Sequence, residues 1–376
     1  MKNILFNIFQ LILRVLDSFF PKSDNTLIFP LNSNDDYQDN LRFLFENLNN
    51  FKGIDCVLLF YGKGDVDYKK GINFYTFQGI IFWLKARFII IHHGTKDIPF
   101  SHSIDYRRRK LINLWHGIPL KNLGYKVKNQ NEAYLNSEFA KFKSIVCSSK
   151  LDSLAMRSCF KKSKEDVWIT GLPRNDLLLQ DESELPEDLI DGLTWLDSKI
   201  KQKKLVIYMP TWRDDNTSDL KFSEKELSQL KLLLESENAV LGVKFHPNAP
   251  PIDFGSLSVL NLSESPCHEV GIFLRKATVL ITDYSSVWVD FLLLDRQIVS
   301  YCPDLSRYIE TRGLLYDYSL VFPGKVNETF ESFLEQLKIS FSTPISSKQL
   351  QIKHLFHAFL DGQNSERVSR KILSMT

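Results

Sequence analysis

Cysteine is scarce and unpaired in this sequence. Cys56, Cys147, Cys159, Cys267 and Cys302 are odd in number, scattered, and without the short spacing of a metal-binding pair. That excludes a disulfide framework and a zinc ribbon, and fits thiols held in a reducing compartment. An excess of one charge is also missing: 47 Lys+Arg stand against 45 Asp+Glu, a net +2, so no global field draws the chain to nucleic acid and any anion site must be local. Repeats and low-complexity tracts are absent. What is present is 44% hydrophobic and 12% aromatic residues over 376 positions, enough to bury a large core and to divide into two domains.

From Asn3 to Phe20 the polar residues Asn3, Asn7, Gln10, Arg14 and Asp17-Ser18 recur at helical spacing among apolar ones. The spacing predicts an amphipathic helix with a narrow polar stripe over residues 1–22. Arg14 and Asp17 interrupt it, it is short for a span, and no small-residue cleavage site follows, so neither a transmembrane helix nor a signal peptide fits. Two settings suit such a helix: the membrane interface, or the surface of this protein or a partner. The aromatic, low-charge face favours the interface.

Beyond Pro21, short β-branched runs alternate with amphipathic stretches, as in a parallel sheet covered by helices. Leu27–Pro30, Ile54–Phe60, Phe88–His92, Leu111–Trp115 and Ser144–Cys147 predict strands of one α/β domain over residues 23–178. Leu205–Met209, Val240–Phe245, Val279–Thr282 and Ile298–Tyr301 predict those of a second over 179–350, and residues 351–376 read as a helical tail that packs back on the first domain.

Four turns at predicted strand ends are the candidates for chemistry, since open α/β sheets bind ligands there, and together they suggest an enzyme acting on phosphates. In Trp115-His116-Gly117, with Pro119 and Lys121 following, the glycine and proline shape a turn that directs the imidazole outward, where it would serve as a proton acceptor. The alternative is a structural histidine. Ser285 and Ser286, in Thr282-Asp-Tyr-Ser-Ser286, precede a predicted helix over Val287–Leu294; they either bind a phosphate at its N-terminus or only cap it. Asp290, one turn on, either reaches a sugar hydroxyl or faces solvent. Asp283 caps the loop or holds a divalent cation. In Lys244-Phe-His246-Pro247, His246 would donate to a pyrophosphate or stabilise a leaving group, and Arg213, after Pro210-Thr-Trp, offers a fork to phosphate oxygens; surface salt bridges are the plain alternative for both.

Two features carry less weight. Tyr106-Arg-Arg-Arg-Lys110 reads as a solvated basic face ahead of a guide for an anionic acceptor. His92-His93 does not read as a metal pair, because adjacent strand residues point to opposite faces and no third ligand is evident.

Trp115-His-Gly-Ile-Pro-Leu-Lys121, Gly171-Leu-Pro-Arg-Asn-Asp176, Pro210-Thr-Trp-Arg213, Lys244-Phe-His-Pro247 and Asp283-Tyr-Ser-Ser-Val287 with Asp290, in that order, resemble the CDP-glycerol glycerophosphotransferase family of teichoic acid and capsule synthesis. Similarity extends to Asp39-Asn40, to Arg312-Gly313 with Tyr316-Asp-Tyr318 and Pro323-Gly324, and to Asp361-Gly362 with Ser365 and Arg367. Ile118 departs from the threonine found in many relatives. The chain also lacks the large N-terminal region of some polymerising members, and so looks like the short members that add one or a few units.

The resemblance implies an α/β fold of two Rossmann-like domains, glycosyltransferase-B-like, with the active site in the cleft between them. It implies attack of an acceptor hydroxyl on the phosphorus attached to glycerol, with His116 as general base and CMP departing. His246, Arg213, Ser285 and Ser286 would hold the pyrophosphate, Asp290 a ligand hydroxyl, and Lys121 and Lys244 further substrate charge. The partners implied are CDP-glycerol, a lipid-linked saccharide or anionic polymer acceptor, and the cytoplasmic face of the cell membrane, with no nucleic acid. No resident metal is called for, although Mg2+ would fit such chemistry. A CDP-ribitol transferase, a glycosyltransferase using a nucleotide sugar, and a non-catalytic polysaccharide-binding protein are the competing readings.

Overall fold

The computed structural model describes residues 2–33, 36–62, 71–211, 213, 221–245 and 252–376. Two compact units emerge, one from residues 1–116, 128–176 and 363–376, the other from residues 117–127 and 177–362. Each is built on a parallel sheet, so the α/β class follows directly from the alternation of β-branched runs and helices.

The first unit holds β1 (Ser23–Leu31), β2 (Asp55–Phe60), β3 (Ile72–Asn73), β4 (Ala86–Ile91), β5 (Lys110–Asn113), β6 (Phe142–Cys147) and β7 (Val167–Ile169), in the order β3-β2-β1-β4-β5-β6-β7. The second holds β8 (Lys204–Met209), β9 (Ala239–Val243), β10 (Val259–Asn261), β11 (Ala277–Thr282) and β12 (Gln297–Ser300), in the order β10-β9-β8-β11-β12. Central strands such as β1, β4 and β11 are buried on both faces, which is why they read as continuous apolar runs rather than alternating ones. Strands β3, β7 and β10 escaped the sequence pattern. All three are short and lie at sheet edges, where less apolar surface is buried and the run that marks a strand shrinks.

Strand order reverses between β1 and β4 in the first sheet and between β8 and β11 in the second. Ligands of open α/β sheets bind at the carboxyl ends of the strands beside such a reversal; His116 follows β5, the neighbour of β4, Arg213 follows β8, and Ser285 and Ser286 follow β11. Residues 351–362, expected in the tail, group instead with the second unit: Lys353 pairs with Asp295 at 2.6 Å and His357 Nε2 meets the carbonyl of Val289 at 2.7 Å. Only the helix Asn364–Leu373 belongs to the first unit, where Ser369 donates to Asn47 at 2.7 Å.

A helix spans Lys2–Phe19. Its anchor is polar: Asp17 is buried and pairs with Lys22 at 2.8 Å and with the fully buried guanidinium of Arg109. Arg108 donates to the carbonyls of Asp17, Ser18 and Phe20, satisfying acceptors that the helix end leaves open. The basic run is therefore only in part a solvated face: Arg107 is exposed, whereas Arg108 and Arg109 are committed to this helix. Leu13 is buried beside Asp17, whereas Ile8, Leu11, Ile12, Val15, Leu16 and Phe19 are exposed. Among the described residues no helix is long and apolar enough to cross a membrane.

Candidate active site

In the first unit the chain leaves β5 at Asn113 and turns sharply. Asn113 accepts from the N–H of Trp115 at 2.8 Å and donates to the carbonyl of His93 at 3.1 Å. Trp115 adopts φ 56° and Gly117 φ 147°, a left-handed path that an L side chain at 117 would resist. From the neighbouring helix Asp39–Leu48, Asn40 donates to the carbonyl of Trp115 at 2.8 Å. Arg174 donates to the carbonyl of His116 at 2.9 Å and to Asp39 at 3.0 Å, while its own N–H donates to Asn40 at 3.0 Å. Thus Asp39-Asn40 and the Gly171–Asp176 turn, remote in sequence, both hold the turn that carries His116.

That second turn is fixed in its own right. Gly171 has φ 78°, and a Cβ there would stand 1.8 Å from the Asn364 side chain. Asp176 accepts from the N–H groups of Asn364 and Ser365 at 2.8 and 2.7 Å.

The His116 ring lies between His93 and Trp115, with centroids 4.8 and 4.5 Å away. Nδ1 stands 3.2 Å from the carbonyl of His92. Since a carbonyl only accepts, Nδ1 carries the proton and Nε2 keeps its lone pair, the form a base requires. Desolvation by the packed neighbours, then the charge of His93, pull the imidazole down to about 4. The residue nevertheless keeps part of its surface exposed, and the lowered pKa leaves the ring neutral near pH 7.

His92 and His93 do not diverge as an alternating strand would require, because β4 ends at Ile91. Their rings meet edge to face at 4.1 Å, and Asp97 supplies a third group, its Oδ1 3.4 Å from His93 Nδ1. The expectation that the two side chains point to opposite faces is corrected here, since their rings meet and Asp97 stands beside them.

In the second unit Arg213 follows β8 and Asp283 follows β11, on the two sides of the strand-order reversal. Arg213 does not hold its fork open for phosphate. Nε and Nη2 donate to Asp304 at 2.8 and 2.9 Å, and Nη1 donates to Asp283 at 2.8 Å and to the carbonyl of Thr211 at 2.6 Å. The guanidinium packs over Tyr284 and Tyr308 at 4.9 and 5.2 Å. Asp283, fully buried, also accepts from the Thr211 N–H at 2.8 Å, so its charge answers Arg213 rather than awaiting a cation. Burial opposes ionisation of Asp304, but Arg213 and the Tyr284 hydroxyl hold it below the usual carboxylate range. Asp304 lay outside the motifs quoted from sequence, although Pro303-Asp304 directly after a predicted strand was a turn signal of the same kind.

Ser285 and Ser286 are partly buried ahead of a short helix, Val287–Phe291, that continues as a tighter 3-10 turn over Leu292–Leu294. Ser286, at the cap position, makes no side-chain cap bond, and Ser285 accepts from the Val287 N–H only at 3.4 Å. Asp290 is buried, not solvent-facing. Lys244 lies with Nζ 5.3 Å from the Phe273 ring centre, and burial lowers its ammonium pKa. Lys121 pairs with Leu314 in an antiparallel bridge, flanked by hydrogen bonds from Asn122 to Gly313 and from Leu315 to Leu120, with Nζ 6.0 Å from the Tyr308 ring centre. His246 lies outside the described residues.

Residues 12–374 match the model of the family described as CDP-glycerol:poly(glycerophosphate) glycerophosphotransferase. A teichoic acid glycerol-phosphate transferase of Staphylococcus aureus is 26% identical over 283 residues, covering 70% of this chain and 71% of that protein. The teichoic acid ribitol-phosphate polymerase TarL of the same organism is 24% identical over 385 residues, covering 97% of this chain, which spans 65% of that relative's length. Among solved structures, the wall teichoic acid polymerase TagF, as a histidine-to-asparagine variant soaked with CDPG, matches with a TM-score of 0.76 at 19% identity, over 100% of this chain and 97% of that one. The two chains share a fold.

Proposed function

The chain belongs to the CDP-glycerol:poly(glycerophosphate) glycerophosphotransferase family, and from that premise we propose that it transfers glycerol phosphate from CDP-glycerol to a hydroxyl of a lipid-linked saccharide or growing teichoic-acid-like polymer, releasing CMP. The observation that carries this reading is the His116 imidazole, oriented by the His92 carbonyl through Nδ1 and left with a free Nε2. The acceptor oxygen attacks the phosphorus that bears glycerol, and Nε2 takes the hydroxyl proton. The bond from that phosphorus to the bridging oxygen breaks, and its electrons leave with CMP. Such a transfer depends on positioning and charge neutralisation rather than on a covalent intermediate.

In this reading Ser285 and Ser286 hold the pyrophosphate together with His246, Lys121 and Lys244 add positive charge, and Asp290 takes a ligand hydroxyl. Arg213 orders the loops after β8 and β11 instead of meeting phosphate, since its donors already face Asp283 and Asp304. The exposed apolar residues of the helix Lys2–Phe19 support peripheral attachment at the cytoplasmic face of the membrane.

CDP-ribitol is the second donor to consider, because TarL matches over 97% of the chain. The test is CMP release from CDP-glycerol and CDP-ribitol, with and without a lipid-linked saccharide, for the native chain and His116→Ala. Acceptor-dependent release that is lost in the variant is expected, and the preferred donor names the alditol. A product that carries sugar without phosphate would overturn the reading in favour of a glycosyltransferase.

A further inference from the structure

We propose that His92, His93 and Asp97 form a site for a divalent transition-metal cation at the carboxyl end of β4, beside His116. The side-chain ligand atoms of the three residues lie within 4.8 Å of one another. His93 Nδ1 and Asp97 Oδ1 are 3.4 Å apart. That is long for a charge-assisted hydrogen bond, about 2.7–2.9 Å. It matches the edge of roughly 3.3 Å between two ligands that each stand about 2.0–2.1 Å from a tetrahedral metal.

The carboxylate is already aimed. Asp97 Oδ2 accepts from the N–H groups of His92 and His93 at 3.2 and 2.8 Å, which turns Oδ1 toward the imidazole, and Asn113 fixes the His93 carbonyl from β5. Hydrogen bonds of this kind orient metal-binding carboxylates and imidazoles.

Two imidazoles and one carboxylate select zinc, cobalt, manganese or ferrous iron over magnesium or calcium, which favour all-oxygen shells. Three protein ligands leave a position open. With the His93 and His116 ring centres 4.8 Å apart, an oxygen bound at that position would lie close to the proposed base and lose its proton more readily. This use of the cation rests on the phosphotransfer reading, whereas binding of the cation does not.

The test uses the full chain, stripped with a chelator and titrated with Co2+ by visible absorption and with Zn2+ by calorimetry. One equivalent is expected, with Zn2+ displacing Co2+ and affinity at least tenfold weaker in His93→Gln and Asp97→Asn. His93 is exposed, so His93→Gln remains informative should Asp97→Asn disturb the turn. Absence of stoichiometric binding, or equal affinity in His93→Gln, overturns the site. CMP release at full rate after stripping overturns its catalytic use. Failure to release CMP despite wild-type binding supports the site and counts against the phosphotransfer reading.

Discussion

Asn40 and Trp115, 75 positions apart, are joined by a 2.8 Å hydrogen bond from the asparagine amide to the tryptophan carbonyl. The bond closes on a residue held at φ 56°, a conformation that costs about 1–2 kcal/mol outside glycine, so the turn before His116 persists because its surroundings hold it. Asn40→Ala leaves that carbonyl without its donor and the Arg174 N–H without its acceptor. We expect a loss of about 1–3 kcal/mol in unfolding free energy and a tenfold or greater fall in kcat for CMP release, with little change in KM for the donor. Unaltered kcat would show that the turn holds itself.

Replacing His116 separates chemistry from structure in the same place. The residue is exposed, and its ring makes one hydrogen bond, to a backbone carbonyl, besides its contacts with the His93 and Trp115 rings, so His116→Ala should lower the melting temperature only modestly. Turnover should fall about a hundredfold or more, the usual contribution of a general base. A variant with native turnover would remove His116 from the mechanism.

Much of this arrangement was legible in the sequence, and what was not shares a cause. The central strands and the turns that follow β5, β8 and β11 announced themselves through local apolar runs punctuated by Gly, Pro, Ser and Asp, and the ordered motifs led to the correct family. Partners distant in sequence left no local trace. Nothing near Asp17 indicates that it buries its charge against Arg109, 92 positions away, and nothing near Arg213 indicates that Asp304 fills its fork. His92-His93 departs from the expected alternation for a narrower reason: side chains alternate within a strand, and β4 ends one residue earlier.

Arg213 ties two carboxylates in a buried network, and removing it leaves Asp283 and Asp304 facing each other's charge. Arg213→Ala should therefore cost about 3–5 kcal/mol, the usual result of breaking a buried pair from one side. Arg213→Lys should recover part of that, since an ammonium lacks the planar fork. Urea unfolding measures both. Were Arg213 a phosphate ligand alone, stability would be untouched and only KM for the CDP donor would rise.

Asp152 gives the first unit a pH dependence. The residue is completely buried near the N-terminus of the helix Lys150–Phe160, and burial pushes its carboxyl up to about 7, against the pull of the Ser148 N–H at 2.8 Å. A folded pKa above the ordinary 3.8 means that the folded state binds the proton more tightly. The stabilisation is complete below about 4 and disappears as pH rises through about 7. Asp152→Asn, which stays neutral, should gain on the native chain steadily between pH 4 and 7 and hold a constant lead above that. Parallel melting curves at pH 5, 6, 7 and 8 decide it; a difference that does not vary with pH would mean that Asp152 is ionised throughout.

The helix Lys2–Phe19 calls for a gentler experiment than deletion. Truncation after Phe20 would remove Asp17 and leave the Arg109 guanidinium buried and uncompensated, a loss of about 3–5 kcal/mol, so reduced membrane sedimentation would report unfolding as readily as lost contact. Leu11, Ile12 and Leu16 are exposed and take no part in that anchor. Changing all three to serine should leave the melting temperature where it is. If the helix lies in the interface, each side chain contributes about 1.5–3 kcal/mol on full burial, and the triple variant should sediment with anionic vesicles more than a hundredfold less well. Equal sedimentation of the two proteins would reject the membrane setting and leave this face to a protein partner.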